Sequence, residues 1–538
     1  MQNFYFFILN RFRHFICIWS LLVISTTATA GTQYFDIWEY QVKGNSLLEP
    51  ATIQRALTPY LGEQKNLQTV EQARDNLQNI YKIHGYLVTV NIPQQNVIGG
   101  VVQLNVIEGK IDRLKISGNK YFSRRELRKE VPSLKPGNAL NMQQVRHEID
   151  VANKSNPNRS VVPVIRPGRY QGTMEMELKV KDELPLHGFV EMNNRYTANT
   201  TKVRLMGGVS YDHLWQKHHS ISVNYQMSPQ DTDEVAVLNM TYAMPVGESS
   251  RLVFYGVKSD SQVATVTGQG DDLTVLGNGS IYGIRSINPL PNVQLYYHSL
   301  ILGVDYKDFG ETQNIANEDE ESGFNVPITY AGWSLSYNGT FNQPIIKTQY
   351  TVTGNFGLRS INDADEFEEK RYGAKANYFY VGLRFSQFFQ LSDDFAINYG
   401  LQGQFTQSPL ISNEQFSAGG IDTVRGYIES SAQGDNALTG SVELNYQVFT
   451  KTTTASIQDM RLNLFIDSAR LRTIDALPNA EGEINSTTDL MGAGVGITMR
   501  AFKNTSLRLY YAEPLKKLNR ESFVDEARVH FNLVYEFN

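Results

Sequence analysis

The sequence predicts two small α+β domains followed by a membrane-spanning antiparallel β-barrel of about 16 strands. Three observations predict this fold class. They are an export signal at the N-terminus, a unit of helices and strands that occurs twice before residue 185, and sustained alternation of apolar and polar residues from there to residue 538. A chain of 538 residues has room for two or three domains.

The first element, residues 1–30, has the pattern of a signal peptide. Arg11 and Arg13 precede the apolar run Phe15–Ile24, and a small-residue cleavage site ends at Ala30. That run is shorter than the roughly 20 residues that a membrane-spanning helix needs. We therefore expect cleavage after Ala30 and export from the cytoplasm.

Composition argues against several classes of function. The only cysteine, Cys17, lies inside the signal, so the mature chain has no thiol for a disulfide or for nucleophilic catalysis. The formal net charge is −6 and no basic run is present, which gives no indication of a nucleic-acid partner. No Ser/His/Asp arrangement can be ordered from the sequence, so we expect neither an enzyme nor a cofactor.

Helical periodicity marks the region that follows the signal. "ATIQRALTPYL" places Ile53 and Leu57 on one face of a helix, and "TVEQARDNLQNIY" does the same with Val70 and Leu77. The strand "FDIWEYQV" precedes these helices, and strands around "YLVTVNI" and "VVQLNVI" follow them. The order is β-α-α-β-β.

A second copy of this unit begins with "IDRLKISGN", whose Gly-Asn pair at 118–119 matches the pair at 44–45. Two helices begun by Ser123 and Asn141, both acceptable N-caps, continue it, and "TMEMELKV" closes it. The predicted domains are therefore residues 34–108 and 109–184, with the barrel at 185–538.

The remaining residues alternate as barrel strands do. In "SISVNYQM" and "SVELNYQV" the apolar side chains share one face, while Ser, Asn, Gln and Glu share the other. Strands of a water-soluble β-sandwich alternate too. The sustained pattern and the amide-rich polar faces favour a barrel, and at roughly 40 to 45 residues per hairpin the region holds about eight hairpins.

Two acidic stretches, 317–323 and 362–370, are interpreted as solvated outer loops without a ligand. The glycines of "GAGVGI" (492–497) precede a strand-like segment rather than the helix that a dinucleotide loop requires, so we expect them to relieve crowding in a barrel strand.

Three histidines lie close together in the sequence, at positions 213, 218 and 219. They lie near a predicted turn, with no carboxylate at metal-ligand spacing. We therefore predict no metal site.

The segment "GGIDTVRGYIES" (419–430) is unusual for a turn because it carries Val424, Arg425, Gly426 and Tyr427. Together with a signal peptide and two β-α-α-β-β units that resemble POTRA domains, it resembles the two-partner secretion transporters, the TpsB or ShlB/FhaC/HecB family of haemolysin secretion and activation proteins. The resemblance covers essentially the whole mature chain. Supporting fragments are "EGKI" (108–111), "LNMQQV" (140–145), "PVIRPGRYQG" (163–172) and "FID" (465–467).

The resemblance implies that this loop folds back into the barrel lumen, where Arg425 pairs with the aspartate of an F-x-D strand. Strand parity in "RLNLFID" points Asp467 inward, so it is available to Arg425. Glu443 has the same inward parity and is a rival partner. Ala469 stands where the family pattern has glycine, and we expect Tyr427 to pack the loop rather than to contact cargo.

The resemblance further implies a function in the Gram-negative outer membrane. A secreted exoprotein of the TpsA type is expected to be captured in extended form in the periplasm and threaded outward through the lipid-embedded barrel, which the barrel-assembly machinery inserts. An edge strand could accept such a segment by β-augmentation. Our candidate is the strand formed by Leu87, Val88, Thr89, Val90 and Asn91.

Two other functions remain open from the sequence. An insertase that folds other barrels would usually carry more than two POTRA repeats, and a passive porin would need neither the repeats nor the loop. Only Gly31 to Tyr34 separate the expected cleavage site from the first strand. The N-terminal plug helix of many family members is therefore expected to be absent.

Overall fold

The structure is a computed structural model that describes residues 33–537. Within that range it does not describe residues 199, 248, 262–263, 268–271, 276–277, 311, 315–322, 451–455, 475–485 and 519–525. The predicted signal peptide and most of the acidic stretch 317–323 lie outside the described residues. Among the described residues, no helix combines the length and apolar character needed to cross a membrane.

The first repeat contains two helices packed on a small sheet. Its elements are β1 (Phe35–Ile37), β2 (Glu39–Lys43), α1 (Pro50–Leu57), β3 (Gly62–Lys65), α2 (Leu67–Ile83), β4 (Val88–Asn91) and β5 (Val101–Glu108). The sheet order is β2-β5-β4, with β2 parallel and β4 antiparallel to β5. The apolar faces of both helices are buried against the sheet, with Ala73, Leu77 and Tyr81 fully enclosed.

The structure divides the single first strand that the sequence predicts. β1 leaves the sheet and pairs with β3, whereas β2 stays with β5. The division falls at Trp38, whose backbone N–H donates to the carbonyl of Gly100. Gly100 has a positive φ of +74°. A Cβ at this position would lie 2.3 Å from the Trp38 ring, so the chain can approach this closely only at glycine.

The second repeat has the same sheet order without the extra short strands. It consists of β6 (Lys110–Ser117), α3 (Arg124–Glu130), α4 (Met142–Ser155), β7 (Arg159–Pro167) and β8 (Thr173–Asp182), and its sheet runs β6-β8-β7. Asn141 caps α4, because its side chain accepts hydrogen bonds from the N–H groups of Gln143 and Gln144.

The two repeats share the glycine turn that the sequence pattern indicates. Gly44 and Gly118 have φ of +85° and +88°. A Cβ at either position would lie 2.2 Å from a carbonyl oxygen of the neighbouring strand, that of Val106 or Val180. Only glycine fits at both positions, which explains why the Gly-Asn pair recurs.

The chain forms two compact units. One holds both repeats without residues 119–126, and the other holds the barrel together with Asn119–Glu126.

The second unit is built around a closed barrel. Its elements in chain order are β9 (Leu186–Asn193), β10 (Arg204–Leu214), β11 (His219–Met227), β12 (Val235–Val246), β13 (Ser250–Ser261), β14 (Ala264–Thr267), β15 (Asp272–Val275), β16 (Gly279–Pro289), β17 (Tyr296–Phe309), β18 (Thr312–Asn314), β19 (Gly323–Asn325), β20 (Ile328–Asn342), β21 (Ile346–Gly357), α5 (Ala364–Lys370), β22 (Phe379–Gln390), β23 (Phe395–Thr406), β24 (Phe416–Ala418), β25 (Ala432–Gly434), β26 (Asn436–Thr450), β27 (Ile457–Thr473), β28 (Ser486–Ala501), β29 (Thr505–Pro514) and β30 (Arg528–Phe537).

Sixteen of these strands form one antiparallel barrel, which β9 closes by pairing with both β10 and β30. The pairs β14-β15, β18-β19 and β24-β25 are separate small hairpins. Every backbone group in the wall of a closed barrel has a strand neighbour, which is the condition for crossing lipid with strands. The observed sixteen strands confirm the predicted fold.

Strand parity divides the wall into an apolar outside and a polar inside. On β27, Leu462, Leu464 and Ile466 are 41%, 57% and 42% exposed on the outer surface, whereas Phe465 and Asp467 are 3% and 1% exposed. Short connections such as 343–345 and 391–394 lie at the end where β9 begins, and the long segments lie at the opposite end. In outer-membrane barrels the short turns are periplasmic.

The acidic stretch 362–370 lies in a long connection, as expected, but it is not simply solvated. It contains the helix α5, and Phe367 on that helix is 1% exposed. Phe367 belongs to an apolar cluster whose strand members face inward near the long-loop end of the barrel. They include Val235, Val257, Ile281, Phe309 and Ile328. This packing was not predicted, because a single aromatic residue among acids carries little periodicity.

Candidate functional site in the barrel lumen

The segment between β23 and β26 turns into the barrel instead of standing above it. The strands β24 and β25 pair with each other and bring the two ends of the segment together. Between them the chain bends at glycines with positive φ, namely Gly419, Gly420 and Gly426 at +113°, +99° and +101°. These angles are strained for residues with a side chain. The bends bring residues 424–427 against the inner wall of β26 to β30.

Arg425 contacts both acids that the sequence analysis singled out. Its Nε donates to Asp467 Oδ2 at 2.7 Å and its Nη2 donates to Asp467 Oδ1 at 2.8 Å, so the two side chains form a bidentate salt bridge. Its Nη1 donates to Glu443 Oε2 at 2.6 Å. Glu443 and Asp467 are therefore simultaneous partners and not alternatives.

Asp467 also holds the backbone of the loop. Its Oδ2 accepts the N–H of Arg425 at 3.1 Å, and its Oδ1 accepts the hydroxyl of Ser441 at 2.7 Å. Ser441 lies directly opposite Asp467 on the neighbouring strand. One carboxylate thus fixes both the side chain and the main chain of Arg425.

Two aromatic rings enclose the Arg425 guanidinium. Its central carbon lies 3.4 Å from the centroid of the Phe465 ring and 4.9 Å from that of Tyr510. Arg425 as a whole is only 6% exposed. Stacking on ring faces stabilises a desolvated guanidinium by up to about 2 kcal/mol, and no lysine could make the same planar contacts.

Gly492 provides the space for the loop backbone. A Cβ at this position of β28 would lie 1.9 Å from the carbonyl oxygen of Arg425. At Gly494, the next inward position, a Cβ would lie 2.8 Å from the Phe465 ring. The glycines of "GAGVGI" therefore lie in a barrel strand and relieve crowding, as the sequence analysis expects.

The residues around Arg425 are buried. Val424 is 0% exposed, Gly426 donates its N–H to His530 Nε2 at 3.0 Å, and Tyr427 donates its hydroxyl to the carbonyl of Lys516 at 2.6 Å. Tyr427 is 3% exposed. Its position fits a packing role rather than a surface for cargo.

Three further anchors of the same segment were not found from the sequence. Glu414 accepts hydrogen bonds from Lys307 at 2.5 Å, Tyr330 at 2.5 Å and Tyr380 at 2.7 Å. Asp435 pairs with Arg371, and Asp422 pairs with Arg195. These partners come from strands and loops far apart in the chain, so no local pattern could reveal them.

The predicted cargo strand Leu87–Asn91 lies mainly in β4, at one edge of the first sheet. Val88 and Val90 point into the core, while Thr89 and Asn91 are exposed and Leu87 is 40% exposed. The edge is partly covered, because Val90 donates its N–H to the side chain of Gln78.

The opposite edge of that sheet, β2, lines a groove that the sequence does not predict. The groove has a volume of about 490 Å³, and its walls include Trp38, Tyr40, Ile53 and Leu57. Trp38 is 56% exposed, and the buried hydroxyl of Tyr40 has no hydrogen-bond partner among the described residues.

The prediction of no metal site rested on the lack of a carboxylate near the histidines in the sequence. In the structure a carboxylate does lie beside them. Glu126 lies against His213 and His218, and the three residues offer donor atoms within 4.8 Å of one another. Glu126 is too distant in the sequence for any spacing rule to connect it with the histidines.

A closed sixteen-strand barrel, a preceding α+β repeat and an arginine-bearing loop inside the lumen define an outer-membrane protein of the kind that carries periplasmic domains. Comparison of the sequence with protein families makes the assignment specific. The profile of the haemolysin secretion/activation protein ShlB/FhaC/HecB family matches residues 172–499, and that of the ShlB-type POTRA domain matches residues 35–109. The chain belongs to this family.

Individual relatives agree with the family assignment. The outer membrane transporter CdiB of Dickeya dadantii (strain 3937) is 22% identical over 83% of this chain and 77% of its own. The heme/hemopexin transporter protein HuxB of Haemophilus influenzae (strain 86-028NP) is 19% identical over 92% of this chain and 86% of its own. The solved structure of CdiB from Escherichia coli has a TM-score of 0.59 at 18% identity, covering 96% of this chain and 94% of that one, which shows a shared fold.

The family assignment fixes location and general activity. The protein is an outer-membrane β-barrel with its POTRA region in the periplasm, and it is a transporter of the TpsB type, a class that secretes partner exoproteins across the outer membrane. The family match favours secretion over the insertase and porin alternatives.

Proposed function

We propose that this protein secretes one dedicated exoprotein of the TpsA type, as an extended chain, through a lumen whose inner loop is fixed by Arg425. The observation that carries the proposal is the buried contact of Arg425 with Asp467 and Glu443. A loop that only capped a hairpin would need no such contact. Transport of an extended chain changes no covalent bond of the cargo, so the proposal needs no catalytic residue, and the resemblance to the family implies that no nucleotide or cofactor takes part.

The electrostatics of this contact favour a lasting attachment of the loop. At an effective dielectric constant of about 20, a charge pair at 4 Å gains on the order of 4 kcal/mol before desolvation. Removing one partner of a buried pair typically costs about 3 to 5 kcal/mol, because the other charge remains buried without compensation. Arg425 therefore acts as a fixed point around which other parts of the lumen move.

The space left in the lumen indicates that movement is required. A polar cavity of about 330 Å³ lies between the loop and the wall, lined by residues such as Arg285, Asp305, Lys307 and Gln402. An extended polypeptide crossing the barrel needs a continuous passage. We propose that the outer part of the loop, attached through Glu414 and Asp435, moves while the Arg425 contact persists.

We also propose the domain limits 34–108 and 109–184 for two POTRA domains, followed by the barrel at 185–538. The shared sheet order and the matching turns at Gly44 and Gly118 support the second POTRA domain. Lipid surrounds the apolar outer wall, and the barrel-assembly machinery inserts it.

For cargo capture we propose the edge strand Leu87–Asn91, which could extend the sheet by one strand. The groove beside β2 is a second candidate. Its apolar walls suit the apolar side chains of an added strand, and the Tyr40 hydroxyl, which has no partner among the described residues, could form a hydrogen bond with the backbone of that strand. Leu87→Asp and Trp38→Asp separate the two edges. Ile98→Asp is the matched control, because Ile98 is an 80% exposed apolar residue outside the strands.

The proposed function is tested by measuring the large exoprotein encoded beside this gene, in the medium of cells with and without the gene. The levels of unrelated outer-membrane barrels are measured in the same samples. Loss of the exoprotein alone is the expected result. A parallel fall of other barrels would establish an assembly factor instead, and unchanged secretion would contradict the proposal.

A further inference from the structure

Two histidines and a glutamate converge at the short-loop end of the barrel. His213 lies near the end of β10, His218 lies in the turn that follows, and Glu126 lies on α3. Glu126 belongs to the segment Asn119–Glu126, which forms part of the same compact unit as the barrel. All three donor atoms lie within 4.8 Å of one another.

Each oxygen of the Glu126 carboxylate faces one imidazole. His213 Nε2 lies 2.9 Å from Oε2, and His218 Nε2 lies 2.8 Å from Oε1. The two histidine rings have centroids 5.1 Å apart and are inclined by 65°. The two imidazole nitrogen atoms therefore reach the same carboxylate from different directions.

The cluster is buried on one side and open on the other. The side chain of His213 is 0% exposed, that of Glu126 is 9% exposed, and that of His218 is 28% exposed. Phe122 covers His213 by stacking at 4.2 Å between ring centroids. The open side at His218 gives an ion a path to the three ligands.

The polar atoms of the cluster are incompletely satisfied. Among the described residues, the buried Nδ1 of His213 has no hydrogen-bond partner, whereas the two oxygens of Glu126 lie 2.9 Å and 2.8 Å from an imidazole nitrogen.

Gln216 adds a fourth oxygen beside the three donors. Its Oε1 lies 3.2 Å from His213 Nε2 and accepts the N–H of Ser123 at 2.7 Å, while its Nε2 donates to the carbonyl of Tyr121 at 2.8 Å. Trp215, Gln216 and His218 have φ of +54°, +58° and +57°. Such strain in residues with a side chain persists only where the surroundings fix the turn.

We propose that Glu126, His213 and His218 bind a zinc ion, which fastens the segment Asn119–Glu126 to the turn between β10 and β11. Two imidazoles and one carboxylate are an established ligand set for zinc, with water or Gln216 Oε1 in the fourth position. Zinc bonds of about 2.0 to 2.2 Å place neighbouring ligand atoms roughly 3.4 Å apart. The histidine nitrogens now lie 2.9 Å and 2.8 Å from the Glu126 oxygens, so these two distances need to lengthen only slightly for zinc to bind. Calcium and magnesium prefer all-oxygen sites.

The test uses the full-length protein in detergent without a polyhistidine tag, since such a tag binds zinc. The protein is stripped with EDTA, exposed to zinc sulfate and desalted, and its bound zinc is measured by mass spectrometry. We expect about one zinc ion per chain for the wild type. We expect a loss of tenfold or more for His218→Ala. Cobalt substitution of the wild type should give the intense visible absorption of a tetrahedral site.

His219→Ala is the matched control, because His219 is the adjacent histidine but contacts Tyr242 and not Glu126. It should retain the zinc of the wild type. Heat-modifiable gel mobility shows whether each barrel is folded, and Gln216→Ala, with roughly 10- to 100-fold weaker binding, gives a milder variant should His218→Ala fail that check. Absence of zinc from the wild type, or as much zinc in His218→Ala and Gln216→Ala as in the wild type, would overturn the proposal and leave a simple ion-pair cluster.

Discussion

Two ionic clusters each attach a segment of chain to the barrel. One holds the loop 419–430 through Arg425, and the other holds Asn119–Glu126 through Glu126, and they differ in how many of their polar atoms have hydrogen-bond partners. Arg425 is bonded through all three of its guanidinium nitrogens and stacked between two rings. In the cluster of Glu126, the buried Nδ1 of His213 has no hydrogen-bond partner among the residues that the structure describes. The difference indicates that the first cluster is permanent architecture, whereas the second depends on an added ion.

The largest effect is expected from Arg425→Ala. It leaves Asp467 and Glu443 buried without a cation, which we expect to destabilise the docked loop by about 3 to 5 kcal/mol and to abolish most secretion. The barrel should still assemble, because the strand pairing does not involve the loop. Exoprotein in the medium and heat-modifiable mobility of the barrel measure the two effects separately.

The control for this substitution is Arg461→Ala. Arg461 lies on the same barrel but is 45% exposed and pairs with Asp459 near the short-loop end. An exposed pair is worth about 0 to 1 kcal/mol, so secretion should stay near the wild-type level. Normal export by Arg425→Ala would remove the loop contact from the mechanism.

The next effect is expected from Gly492→Val. The new Cβ would overlap the carbonyl oxygen of Arg425, so the loop must withdraw although every charged group is retained. We expect secretion to fall nearly as far as in Arg425→Ala. Gly440→Ala is the control, since among the described residues the nearest atom to a Cβ there would be the carbonyl oxygen of Gly400, at 4.0 Å. If both glycine variants secrete equally well, the close approach of the loop has no role in transport.

A smaller effect should separate the two acids that bind Arg425. Asp467→Asn weakens the bidentate pair with Arg425 together with the contacts to the Arg425 backbone and to Ser441, and we expect a loss of about 3 kcal/mol, because the amide keeps part of the hydrogen bonding. Glu443→Gln weakens one charged hydrogen bond, worth about 1.5 to 3 kcal/mol. Thermal unfolding of the purified barrels and secretion titres should rank the variants in this order, and the reverse ranking would contradict the assigned roles.

The smallest effect is expected when the two clusters are tested together. Zinc should raise the unfolding temperature of the wild type and of Arg425→Ala by the same amount, because distant sites without shared partners contribute additively. A zinc shift that disappears in Arg425→Ala would show that the clusters are coupled, and the contrast drawn between them would then fail.

Much of the fold could be predicted because it depends on local periodicity. Alternation identified the barrel wall and gave the inward direction of Asp467, and the Gly-Asn pairs identified the repeat. The division of the first strand at Trp38 could not be predicted, because it depends on pairing with β3, a strand of mostly polar residues.

The functional site was predictable only where its residues lie on regular strands. Parity placed Asp467 and Glu443 on the inner face but could not show that Arg425 engages both at once. Phe465 has the same parity as Asp467, yet its contact with the guanidinium depends on the loop conformation. Glu414 and Glu126 are carboxylates in unremarkable sequence, and only the fold brings them to Lys307 and to His213.

The apolar cluster around Phe367 has a consequence for the cell that carries this barrel. An unobstructed sixteen-strand barrel would let bile salts and bulky antibiotics leak through the outer membrane. We expect the packed aromatic and aliphatic side chains of this cluster, which lie near the long-loop end, to narrow the passage that such molecules would use. On this expectation, cells whose barrel lacks the cluster should become more sensitive to bulky antibiotics than cells with the wild-type barrel.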